Sequence, residues 1–302
     1  MRPASQRDLP QQPLLRGRNI LRGAQGQCSS LFLLVGAAYS PVQSSPWLSS
    51  RLEPTLGSGK ESFVALPDER RQCFDCCLTA VVDSVEASVV YREVVDFMER
   101  YLHLRITPEM REVPVLAVDL SSLNEQRALG SHGHGVGIVR GLTLSSYATV
   151  SHIAPGLWNL GAGRPESLAI FQTECHREVT AVLVLAGLPR DLTASILAHE
   201  AMHVYLKLSK GFPLTLTKQS EEGLCQLVAM RLLSHYLENH QTSADGKSSF
   251  RRSLLRYWIH CIESDSSFEY GDGFRKAKKC SDSLGLEITL DHVSQMGSLP
   301  DI

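Results

Sequence analysis

Ser195 to Leu208 reads SILAHEAMHVYLKL, and within it His199-Glu200-Ala201-Met202-His203 spells HExxH. The stretch holds no Pro or Gly, and Ile196, Leu197, Val204 and Leu208 recur near one side, so the spacing predicts a helix. Asp191 or Thr193 can cap its start, and Gly211-Phe212-Pro213 ends it. Residues four apart on a helix project from one face, so His199 and His203 can hold one ion between them. Neutral imidazole is a good zinc ligand at roughly 2.0–2.1 Å. Glu200, beside the first histidine, can reach an attacking water rather than the ion. A helix turn with incidental histidines would carry the same five letters. The helical context and the strand expected just upstream favour a metal site.

A catalytic zinc commonly takes three protein ligands and keeps a fourth place for water. Glu222 is the preferred third ligand: eighteen residues separate it from His203, and Gly223 follows it. HExxH-x18-E followed by glycine is the ligand pattern of the gluzincin aminopeptidases. Glu221 competes for the role, because helix phase shifts readily by one residue. With zinc in place, Glu200 is expected to take a proton from the attacking water and pass one to the leaving amine. An oxyanion donor is also expected. Tyr270, in the turn Tyr270-Gly271-Asp272-Gly273, is the favoured candidate; Tyr257, His260 and His292 are the others.

Outward from the motif, composition bounds the class. The chain has 302 residues, 43% hydrophobic and 21% charged, the balance of a globular protein. A net charge of -2 and the lack of a basic stripe argue against nucleic acid as a partner. The longest apolar stretch, around Leu31 to Ala38, is too short to span a bilayer. Eight cysteines show no disulfide-framework spacing, so reduced thiols are expected.

Residues 1–60 are rich in Arg, Gln, Ser, Pro and Gly, with Asp8 the only acid before Glu53. They read as a disordered or targeting segment, in a protein otherwise expected in the cytoplasm. Phe63 to Leu66 suggests a short strand, and Cys73 to Leu104 a largely helical stretch, with Val81, Val82, Val89, Val90, Val94, Val95 and Met98 at helical spacing. Val113 to Leu120 and Val179 to Leu185 are strand candidates, the second able to pair with an extended substrate. Further helices are expected from near Lys218 to Leu237, over Phe250 to Ile262, and including Leu290 to Met296.

Ser195 to Leu208, Glu221 to Gln226 (EEGLCQ) and Ile262 to Phe274 (IESDSSFEYGDGF) closely resemble plant LIM-domain growth-regulating peptidases of the DA-one type. Val113 to Gln126 and Glu178 to Arg190 are similar too, so the resemblance runs from about Phe63 to the C-terminus. It implies a ubiquitin-regulated zinc endopeptidase that cleaves regulators of proliferation, with His199, His203 and Glu222 as ligands and Glu200 as acid/base. Relatives carry ubiquitin-interacting helices and a LIM domain before the peptidase. Here Cys73-Phe74-Asp75-Cys76 resembles only the closing half of a LIM zinc site. A structural site needs four ligands, so a remnant without metal is expected.

His132 and His134, in a Gly-rich loop, read as solvated, and Cys225 as a core residue. Gly161 to Glu166 (GAGRPE) is only superficially like the GAMEN motif of the aminopeptidase branch, which favours an endopeptidase. The expected fold is α+β and zincin-like, with a mixed sheet packed on the HExxH helix and a mainly helical C-terminal part. The expected organisation is the segment 1–60, a LIM-like remnant over 61–104 and a peptidase domain over 105–302. Protein substrates, some in ubiquitin signalling, are the expected partners. The competing readings are a catalytically silent interaction protein and an aminopeptidase.

Overall fold

Residues 190–208 form a helix buried on nearly every side, so its polar side chains must find partners inside the fold. The computed structural model describes residues 26–33, 63–66, 68, 70–130, 139–153, 171–239 and 246–302. The expectations placed on His132, His134, Gly161 to Glu166 and most of residues 1–60 lie outside them.

In chain order, the first strands are β1 (Gly26–Leu33), β2 (Phe63–Ala65) and β3 (Arg71–Cys73), followed by the short helix α1 (Phe74–Cys77) and β4 (Ala80–Val81). Then come α2 (Ser84–Arg100), α3 (Pro108–Arg111), β5 (Val115–Val118), α4 (Leu120–Gly130), β6 (Val139–Ile153), β7 (Phe171–Leu185) and β8 (Leu188–Pro189). The remainder is helical: α5 (Arg190–Leu208), α6 (Lys218–Asn239), α7 (Gly246–Glu263), a π-helical turn (Phe268–Asp272), α8 (Gly273–Leu284) and α9 (Leu286–Met296). The architecture is α+β and mostly helical, with a small mixed sheet.

That sheet has the order β1-β6-β7-β5. β1 runs antiparallel to β6, with Gly26 opposite Tyr147 and Phe32 opposite Gly141. β5 runs parallel to β7, with Val115 opposite Val182 and Val118 opposite Leu185. Ala181 to Leu185 is buried without alternation, the signature of a strand covered on both faces. The strands expected at Val113 and Val179 therefore share one sheet. The expectation that Val179 to Leu185 pairs with substrate needs correction, because β7 is an interior strand with neighbours on both edges.

The principal unit comprises residues 26–147 and 177–302. The smaller one comprises residues 1–25 and 148–176, of which only strand at 148–153 and 171–176 is described. Among the described residues, no helix is long and apolar enough to cross a membrane.

α2 starts later than the sequence periodicity suggests. Asp83 caps it, accepting from the Glu86 backbone N–H at 2.8 Å, while Glu86 accepts in turn from the Val82 N–H at 3.2 Å. Its buried stripe is Ala87, Val90, Tyr91, Val94, Val95, Phe97 and Met98, leaving Val82 and Val89 exposed. This stripe packs against α5 and β5.

α5 is buried without interruption from Asp191 to Val204. Neither expected capping residue caps it: Pro189 holds the N-cap position without a side-chain bond. Asp191 instead forms a paired contact with Arg251 of α7 at 2.5 and 2.7 Å, and Thr193 donates to the Leu188 carbonyl at 3.2 Å. A tertiary partner took Asp191 away from capping, while Thr193 turned back to the strand just before the helix.

α6 packs against α5 on one side and α8 and the π-helical turn on another. A Cβ on Gly223 would come within 2.3 Å of the Gly273 carbonyl oxygen, and one on Gly273 within 2.4 Å of the Gln219 carbonyl oxygen. Backbone meets backbone there, so only glycine permits the crossing. Replacing an interior helical glycine by alanine normally gains roughly 1 kcal/mol of helix propensity. Here the clash outweighs that gain. Gly223→Ala should lower unfolding stability by about 1–3 kcal/mol, as overpacking does. Urea denaturation followed by circular dichroism measures it, and a raised midpoint would disprove the close crossing.

Candidate metal centre

The helical repeat of α5 puts His199 and His203 on one face, and both are 0% exposed. Their Nε2 atoms lie 3.1 Å apart. Glu222, carried by α6, places Oε2 at 3.1 Å from His199 Nε2 and 3.5 Å from His203 Nε2. An ion bound tetrahedrally at roughly 2.0–2.1 Å spaces its donors roughly 3.3 Å apart. The triangle of two ring nitrogens and one carboxylate oxygen therefore fits a zinc-sized ion.

Glu221 and Glu222 are adjacent but take opposite edges of the same ring. Glu221 Oε1 lies 2.9 Å from His203 Nδ1 and 3.0 Å from Lys207 Nζ. A carboxylate only accepts, so Nδ1 carries a proton, and Nε2 is the ring nitrogen turned toward His199 and Glu222. Carboxylates commonly orient metal-binding histidines in this way. Burial opposes the ionised form of Glu221, but His203 and Lys207 outweigh it and hold its pKa well below the usual carboxylate range.

Burial depresses the His199 pKa to about 4, leaving a neutral imidazole near pH 7. It acts against the charged form of His203 too, but Cys225, Glu222 and Glu221 outweigh it and raise that pKa.

Glu200 lies on the same turn and is 0% exposed. Burial pushes its carboxyl pKa up to about 8. The Thr143 hydroxyl donates to Oε2 at 2.6 Å, while Oε1 has no hydrogen-bond partner among the described residues. A Cβ on Gly141 would lie 2.8 Å from Oε1 and 2.6 Å from Ile196 Cγ2. Gly141 and Thr143 are two apart on β6, so they share the sheet face turned to α5. Sequence reasoning missed both; the signal available was a lone glycine among apolar residues in Val139 to Leu144, a mark of close backbone approach.

Tyr270, in the π-helical turn, is 7% exposed, with its ring 6.4 Å from that of His199 and tilted by 26°. Burial, then the charges of Glu222 and Glu200, raises its pKa, so the phenol stays protonated. Tyr257 and His260 lie on α7, with His260 exposed, and His292 sits half-buried on α9. Cys225 is fully buried, as expected for a core residue, yet one nitrogen from each histidine and its Sγ lie within 4.8 Å of one another. Burial drives its pKa up to about 12. Cys73 and Cys76 are free thiols, and a hydrogen bond from Cys76 lowers the Cys73 pKa to about 6.

Comparison with known proteins matches residues 102–296 to a DA1-like family described as Protein DA1. Protein DA1 of Arabidopsis thaliana is 36% identical over 271 residues, covering 83% of this chain and 48% of that protein. Protein DA1-related 1 of the same plant is 35% identical, covering 83% and 47%. The LIM domain-containing protein HDR3 of Oryza sativa subsp. japonica is 34% identical, covering 79% and 51%. The chain thus spans about half the length of these relatives. No solved structure matches. With the family match spanning the strand, the HExxH helix and the helices behind it, this chain belongs to the DA1-like family.

Proposed function

We propose that this chain is a zinc-dependent endopeptidase of zincin-like architecture that hydrolyses peptide bonds in regulatory proteins. The observation that carries the reading is the donor triangle of His199, His203 and Glu222, with the carboxyl of Glu200 on the same helical turn. When bound, zinc supplies Lewis acidity, making a water acidic enough to attack near neutral pH and compensating the oxyanion. His199, His203 and Glu222 hold the ion, and Glu221 with Lys207 fixes the His203 ring. Glu200 receives the proton of the attacking water at Oε1, the oxygen without a partner among the described residues, while Thr143 holds Oε2 still. The carboxyl then passes a proton to the leaving amine. Tyr270 donates its phenolic hydrogen to the developing oxyanion.

Membership of the DA1-like family supports protein substrates, some of them in ubiquitin signalling and growth control. The LIM domain in the name of HDR3 supports reading residues 61–104, with Cys73 and Cys76, as the remnant of a LIM-like module, and 105–302 as the peptidase domain. We place the protein in the cytoplasm. One observation favours a second reading, a regulatory protein that binds metal without cleaving. His199, Glu200 and His203 are all 0% exposed, so a peptide carbonyl reaches them only if the surrounding structure opens.

Elemental analysis of the purified protein should find near-stoichiometric zinc that Glu222→Ala loses. Glu221→Ala should keep the metal but bind it roughly 10–100-fold more weakly, the range for ligand-orienting partners, in competition against a chelator. Zinc absent from well-folded wild type would sink the metallopeptidase reading.

Glu200→Gln should retain zinc and lose about 10²–10⁴ in cleavage rate, the contribution of a general acid/base. An N-terminally blocked peptide should be cleaved as readily as the free one. Zinc bound with no turnover of any protein or peptide by wild type would favour the silent regulator, and cleavage confined to free N-termini would favour an aminopeptidase.

A further inference from the structure

We propose that Cys225 is a fourth protein donor to the ion held by His199, His203 and Glu222, closing its coordination sphere in the resting protein. The proposal rests on the reading of those three residues as ligands. Cys225 follows Glu222 by three residues on α6, so one helix face carries both toward α5. Its sulfur and one nitrogen from each histidine lie within 4.8 Å of one another. The thiol, 0% exposed, is also hydrogen-bonded to His203. Zinc binds sulfur at roughly 2.3 Å and imidazole nitrogen at roughly 2.0–2.1 Å, which spaces such donors roughly 3.6 Å apart. That separation falls within the limit that the cluster satisfies.

The chemistry narrows the ion. A thiolate beside two imidazoles suits a borderline-soft divalent cation such as zinc and disfavours magnesium or calcium, which prefer oxygen. As the sulfur–metal bond forms, the thiol proton leaves to solvent, and no electrons change hands. Four protein donors make the closed arrangement of structural sites, whereas catalysis needs a place for water. Sulfur and water therefore compete for one position.

The test is the electronic spectrum of the full chain loaded with Co²⁺ in place of zinc. Wild type should show an intense sulfur-to-cobalt charge-transfer band in the near ultraviolet. Cys225→Ala should abolish the band while cobalt stays stoichiometrically bound, and the Cys73→Ser/Cys76→Ser double variant should keep it. Should Cys225→Ala fail to fold by circular dichroism, Cys225→Ser preserves the volume and removes the band equally. Cobalt bound without the band, or a band that survives Cys225 replacement and disappears with Cys73 and Cys76, overturns the proposal and leaves the three-ligand site standing. A folded wild type that binds neither cobalt nor zinc overturns that site, and the fourth donor with it.

Discussion

Three ionisable side chains in five consecutive residues, His199, Glu200 and His203, are fully enclosed, and the rest of the structure answers to that constraint. A buried charge without a partner costs several kcal/mol, so each group must remain neutral or be compensated. The chain uses both solutions. Burial keeps His199 neutral and raises the Glu200 pKa, while the hydroxyl that Thr143 donates to Oε2 favours the carboxylate form. His203 receives two carboxylates, Glu221 on one ring edge and Glu222 on the other, and Lys207 offsets the first of them. α6 must therefore lie against α5 in one register, because a rotation of a single residue would separate both carboxylates from the ring.

Such close packing of polar groups needs backbones that approach without side chains between them. Gly141 lets β6 lie directly on the Glu200 turn. Gly223 and Gly273 let the π-helical turn press on α6 beside Glu222, which brings Tyr270 within ring-stacking distance of His199. The sheet and the C-terminal helices thus act as two jaws on α5. Glycine at each contact point sets how far they close.

What the sequence revealed follows from this. HExxH lies on one helix, and its local periodicity suffices to place both histidines together. α6 was legible from its own apolar residues, since Leu224, Val228, Leu232 and Leu233 are all buried. β6, α4 and α8 were not anticipated. Thr143 and Gly141 matter only because a distant strand meets α5, and no local pattern encodes a pairing 57 residues long. The capping role expected of Asp191 failed for the same reason: Arg251, 60 residues away, claims the aspartate. Local rules described the elements, and long-range polar contacts decided what each side chain does.

The adjacent pair Glu221 and Glu222 shows how a one-residue ambiguity in sequence becomes a division of labour in space. Successive helical residues diverge by about 100°, since a turn takes 3.6 residues. Two neighbouring carboxylates on α6 cannot both face the Nε2 atoms of the histidine pair. The imidazole of His203 presents its two nitrogens on different edges, and that divergence suits one carboxylate for each. Lys207, four residues beyond His203 and hence on the same face of α5, reaches Glu221 and leaves Glu222 to the histidines. The meaningful pattern is thus His-x3-Lys on one helix against Glu-Glu-Gly on the next. In it the lysine decides which glutamate takes the Nδ1 edge of His203 and which faces the histidine pair.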